Sequence, residues 1–196
     1  MNSHIEKQLQ FLIEIDKMKS ILRQTLLCDG TRRENDAEHS WHLAVMAMVL
    51  REYAAPAVDL GRVLQMALVH DLVEVYAGDT FAYDVQGNAD KATREAAAAD
   101  KLFGMLPEAQ GKALRTLWEE FDAMETPDAQ YAAAIDRLQP FVANHVTQGH
   151  TWRLGGVKKS QVLARMDLVR RFAPALWGYA EGVVAEAVEK GWLMDA

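Results

Sequence analysis

From one end of this chain to the other, apolar residues return at steps of three and four, and the strict alternation that a half-buried strand requires is scarce. That periodicity confines the chain to an all-α fold. It predicts helices over about 3–23, 37–54, 59–76, 88–105, 108–125, 127–148, 159–171 and 174–190. Together they make a single-domain bundle of about seven or eight helices over residues 1–196, with its core at about 5–175 and a C-terminal helix at about 174–190. Ser3, Asp36 and Asp59 stand where N-caps belong. Proline and glycine fall between periodic segments, Pro140 apart. The segment from His39 to Leu50 is apolar on nearly every face, as expected of a helix surrounded by others. Two less regular stretches, 24–35 and 77–87, read as loops; they hold Arg32, Arg33, Asp79 and Asp84, and loops beside apolar helices readily carry binding groups.

A chain of 196 residues buries about 70% of the surface that its unfolded form exposes, so it needs no staple to fold. The longest apolar run, Leu43 to Leu50, is far short of the roughly 18 residues that suggest a membrane span. With no secretory signal pattern and a lone Cys28, a cytoplasmic protein is expected. A formal charge of -7 argues against a nucleic-acid polymer as partner. A small phosphorylated ligand remains open to it, because one metal ion and one or two arginines outweigh the global field at short range. The apolar, Met-rich and Trp-bearing segments predict a homodimer.

Chemistry is concentrated in polar residues at core positions. On the third predicted helix, Leu60, Leu64, Ala67 or Leu68, and Val75 mark one face, and Asp71 falls on it beside His70. On the sixth, Ala129, Ala132, Ala133 and Ala143 share the side of Asp136. A buried carboxylate must be neutralised, paired or bound to metal. Four candidate ligands thus come from three helices: His39, the pair His70-Asp71, and Asp136. One such histidine is more often structural, and one inward aspartate is often a cap or an ion-pair partner; it is the joint pattern that points to a metal. The mixed nitrogen and oxygen set suits one divalent transition-metal ion, Mn, Co, Fe, Ni or Zn.

The order His39, His70-Asp71, Asp136 resembles the signature of the HD-domain metal-dependent phosphohydrolases, an all-α superfamily in which those four residues bind the ion. The blocks from Arg33 to Ser40 and from His70 to Asp79 look like those of the branch containing the bacterial 5'-deoxynucleotidases, over roughly residues 5 to 175. The resemblance implies that Glu74 and Asp79 are the acids around the attacking water and the leaving oxygen, and that Arg23 contacts substrate. Gln24 stands where that branch has a tryptophan that helps to recognise the sugar, which puts selectivity for 2'-deoxyribose in question. No histidine lies between Asp71 and Asp136, where two-metal members supply more, so one ion is implied. The run Leu72-Val73-Glu74-Val75 lacks the Glu-Asp pair of alarmone hydrolases.

The implied activity is release of phosphate from (deoxy)nucleoside 5'-monophosphates. Glu74 would orient or deprotonate the water and Asp79 would position it or protonate the alkoxide, with the roles exchangeable. Arg23 would offset phosphate charge and Arg33 would assist. His42 is assigned to packing around the site, and the glycine-bearing loop through Gly149, Trp152, Gly155 and Gly156 is left outside it. Three alternatives stand beside this reading: an HD hydrolase of another small phosphoester or nucleotide, a non-catalytic HD-fold binding protein, and a metal-free helical interaction module.

Overall fold

The computed structural model describes residues 3–195. Its helices are α1 Ser3–Ile15, α2 Asp36–Val49, α3 Leu60–Val69, α4 Glu74–Ala77, α5 Val85–Asn88, α6 Lys91–Phe103, α7 Glu108–Ala123, α8 Pro127–Val146, α9 His150–Leu154, α10 Lys159–Phe172 and α11 Trp177–Glu189. One small antiparallel sheet, β1 Leu22–Leu26 with β2 Arg33–Asn35, and an isolated parallel bridge between Lys158 and Met194 depart from the all-α expectation.

α8 is the axis of the molecule. Thr126 accepts from the Ala129 amide as N-cap, and Pro127 fits the first turn, where its missing N–H is not needed. Its alanines, Ala129, Ala132, Ala133, Ala134 and Ala143, are buried, and these small side chains let α2, α3, α7 and α10 pack closely around it. The expected central position of the His39–Leu50 segment is therefore corrected. α2 buries His39, Leu43 and Ala47 against α3 and α8 but leaves Trp41 65% and Val49 69% exposed, because none of the described elements covers that flank.

Other boundaries also shift. The first predicted helix stops at Ile15, gives way to a 3-10 turn over Asp16–Ser20, and the chain then turns into β1. The stretch predicted as a loop is the hairpin: Asp29 Oδ1 accepts from the Thr31 amide and hydroxyl, and Gly30 takes φ +72°, which a residue with a Cβ rarely adopts. The N-cap of α2 is Asn35, in a capping box with Glu38, and Asp36 is wholly buried instead. Asp59 caps α3 as predicted, accepting from the Gly61 amide. Ser3 opens α1, and the residues before it lie outside the described chain. Gly111 lies inside α7, against the glycine expectation, because a Cβ there would come within 2.3 Å of the Phe103 carbonyl oxygen.

Two departures shape the site. The predicted helix 59–76 breaks after Val69, where the α ladder is replaced by shorter bonds such as Leu72 N–H to Val69 O and Glu74 N–H to Asp71 O. The buried face of α3 is Val63, Met66 and Ala67, continuing to His70, whereas Leu68 is 55% exposed. The segment after α4 is tied down by Arg94, which donates to Ala77 O, Thr80 Oγ1 and Gly87 O. Gly78, at φ +75°, turns the chain into it.

Candidate metal centre

His39 from α2, His70 from the end of α3 and Asp136 from α8 converge, with ligand atoms all within 4.8 Å of one another. These are three of the four residues that the sequence pattern singled out. His70 Nδ1 lies 3.0 Å from the Ala67 carbonyl, which can only accept, so that nitrogen carries a proton and Nε2 is the one left to take a second proton or a metal ion. His39 is oriented by a device that the sequence reading missed. Gln139 turns its amide NH2 to Glu34 Oε1 at 2.8 Å and His42 Nδ1 at 3.1 Å, so its Oε1 accepts from His39 Nδ1–H at 3.0 Å. His39 Nε2 therefore carries a lone pair, and it faces Asp136 Oδ1 at 2.9 Å. Two acceptors so placed repel unless a proton or a metal cation joins them.

His70 Nε2 is buried with no hydrogen-bond partner. It stands 3.1 Å from Asp71 Oδ2 and 3.6 Å from Asp136 Oδ1, and His39 Nε2 is 3.8 Å from the same Asp71 oxygen. Burial alone would lower the pKa of His70, but the carboxylates of Asp71 and Asp136 outweigh it and push it up to about 10. A proton held this tightly marks a place where positive charge is wanted. His39, buried and near Arg23, is held low. Asp71 and Asp136 stay ionised against burial: His70 and Arg23 hold Asp71 well down, and Arg137 and His70 do the same for Asp136. An orphaned imidazole nitrogen, a second lone pair and two ionised carboxylates fit a divalent cation. Pro140, four residues after Asp136, has no N–H for the Asp136 carbonyl, which opens the α8 ladder beside this carboxylate.

Asp71 sits at the edge of this cluster and also belongs to a second one with Asp36 and Glu74. Arg23, on β1, spans both, donating from NH1 to Asp71 Oδ2 at 2.8 Å and to Asp36 Oδ1 at 3.3 Å. Glu74 is buried, and Asp71 and Asp36 add to burial in raising its carboxyl well above the usual range. Asp79 lines the same cleft as Arg23 and is raised by burial. Asp36 is pushed up to about 7 by burial and Asp71, and Glu34 to about 7 by burial. Glu34 and Asp36 lie in the block that the sequence reading singled out, but caps and site residues look alike in sequence, and only their burial separates them.

Arg33 does not reach the cluster. Its guanidinium bonds to the Arg23 and Leu22 carbonyl oxygens and braces the hairpin. His42 Nδ1 accepts from the Gln139 amide, and His42 is not among the converging ligand atoms. The Gly149 loop is corrected: its Trp152 and Thr151, on α9, line the cleft beside Arg23 and Asp79. Gln24 lines the same cleft.

Comparison with known proteins agrees with this geometry. The model of the HD domain family matches residues 15–177. A protein of Magnetospirillum magnetotacticum described as a predicted metal-dependent phosphohydrolase has a structure that superposes with TM-score 0.93 at 50% identity, over 98% of this chain and 96% of that one. The human protein named 5'-deoxynucleotidase HDDC2 is 30% identical over 132 residues, 67% of this chain and 63% of its own length. Its namesake in Danio rerio is 27% identical over 142 residues, 72% of this chain and 70% of its own. The chain thus spans about two thirds of the length of these two relatives. A Pyrococcus furiosus structure with TM-score 0.62 at 22% identity shares the fold. This chain belongs to the HD-domain family.

Proposed function

We propose that the protein is a metal-dependent phosphohydrolase that removes phosphate from (deoxy)nucleoside 5'-monophosphates. The observation that carries the reading is the convergence of two imidazole Nε2 atoms, that of His70 without a hydrogen-bond partner, on the carboxylates of Asp136 and Asp71. His39, His70, Asp71 and Asp136 would hold one divalent ion, drawn from Mn, Co, Fe, Ni or Zn. Such an ion supplies Lewis-acid neutralisation of phosphoryl oxygens and a lowered pKa for water.

The chain's own groups do the rest. Arg23, already turned toward Asp71, neutralises phosphate charge at the mouth of the cluster, and Arg33 serves it by bracing the backbone on which it rides. Glu74 orients the attacking water or takes its proton. Asp79 faces the cleft, where it positions that water or protonates the departing 5'-oxygen. Burial raises both carboxyls above their ordinary range, the direction expected of groups that exchange protons. The whole chain acts as one HD domain, which the single buried cluster from Phe11 to Leu193 supports. The exposed stripe Trp41, Val45, Met48 and Val49 on α2 supports a homodimer, and an exposed, unpaired Cys28 fits a cytoplasmic location.

The test is phosphate release from ribo- and deoxyribonucleoside 5'-monophosphates by metal-stripped protein with Mn(II), Co(II), Ni(II), Zn(II) or Mg(II) added. Asp71→Ala and Glu74→Ala should both abolish it. No release by protein shown to contain metal would move the assignment to another phosphoester, or to a binding protein.

A further inference from the structure

The cleft beyond the metal cluster brings three guanidinium groups together, those of Arg23, Arg137 and Arg165. Two of them are engaged. Arg23 is bound to Asp71 and Asp36, and Arg137 bonds to Asp136 Oδ2. Arg165, from α10, forms no hydrogen bond or ion pair among the described residues; the charges that act on it are those of Arg137, Asp136 and Arg23, with the Tyr83 phenol beside it. Tyr83, Trp152 and Phe81 wall the cleft on its apolar side. Burial and the like charge of Arg137 draw the pKa of Arg165 down to about 10, which leaves it charged at neutral pH. A partly buried cation beside another cation, with no acid of its own, opposes folding. What makes such a placement favourable is an anion that enters the cleft.

We propose that Arg165 binds the non-bridging oxygens of the substrate's phosphate and favours a monoester dianion over a diester. The inference rests on the phosphohydrolase reading and adds to it a residue outside the family signature. A guanidinium presents a planar pair of donors that matches two phosphate oxygens. A monoester near neutral pH carries a charge of about -1.5 to -2 and three acceptor oxygens. A diester carries one charge less and a second ester arm, so it gains less from this cation.

Inorganic phosphate is the probe, titrated calorimetrically into metal-loaded wild type, Arg165→Gln and Arg165→Lys, with bound metal and melting temperature measured alongside. A hydrogen bond to a charged group accounts for about 10- to 100-fold in affinity. Arg165→Gln is expected to weaken phosphate binding by about that factor and to raise KM for 5'-monophosphates in parallel, at unchanged metal content. Arg165→Lys, which keeps charge and stem but loses the fork, should recover part of the affinity. It carries the test if the Gln variant melts early. Phosphate affinity in either folded variant within about twofold of wild type overturns the proposal. Arg165-dependent phosphate binding by a wild type that hydrolyses no monophosphate would uphold the anion site and remove the nucleotidase reading.

Discussion

Replacing Gln139 with leucine tests how His39 is held. The side chains are close in volume, so Gln139→Leu removes polarity with little change in packing. Gln139 is 2% exposed and its amide meets His39 Nδ1, Glu34 Oε1 and His42 Nδ1. Without it, the buried His39 N–H and the Glu34 carboxyl both lose their partner. An orphaned buried polar group costs about 1–3 kcal/mol. Glu34 escapes part of this by taking a proton, since burial already raises it to about 7. The expected loss is about 2–4 kcal/mol, or roughly 5–15 °C in Tm for a chain of this size. His39 would also be free to turn or to move its proton to Nε2, and loss of such an outer partner costs about 10- to 100-fold in metal affinity. Thermal melts of metal-free protein give the first quantity, and competition with a chromophoric chelator gives the second. A Tm within about 2 °C of wild type, together with metal affinity within about threefold, would refute the argument that this amide sets the His39 tautomer.

Four further outcomes follow from the same geometry. Chelation should lower the Tm of wild type, by the equivalent of about 2.7 kcal/mol when free metal stands at 100 times Kd. His70→Ala, which removes the orphaned Nε2, should abolish that difference between metal-loaded and chelated melts. Gly111→Ala would gain about 1 kcal/mol in an exposed helix, but its Cβ would meet the Phe103 carbonyl at 2.3 Å, so urea denaturation should show a net loss of about 1–3 kcal/mol. Gln24→Trp, at the cleft wall, should raise the ratio of kcat/KM for deoxyribo- over ribonucleotides, and an unchanged ratio would detach position 24 from sugar recognition.

Read as a sequence, the chain was sufficient for its helical class and for three residues that meet in space. Periodicity of three and four reports which faces are apolar, and that pattern survives in α3, α8 and α10 whatever the chain does between them. His39, His70 and Asp136 stood out because a polar group on an apolar face is costly unless something holds it. The hairpin did not stand out, because β1 and β2 are short and held by Asp29, Gly30 and the Arg33 guanidinium rather than by alternation. Nor did the exposure of α2, since an apolar helix surface reads the same whether neighbours cover it or not.

What tertiary structure alone decided is who faces whom. Gln139 and Glu34 are 105 residues apart, and only the packing of α2 on α8 makes them partners in orienting His39. Arg165 looks like any helix-surface arginine until α10 lies along α8 and places it in the cleft without an acid. Local sequence sets the conformation and sidedness of each segment through short-range sterics and periodicity. The charge balance at a site depends on distances across segments, and those exist only once the core has closed.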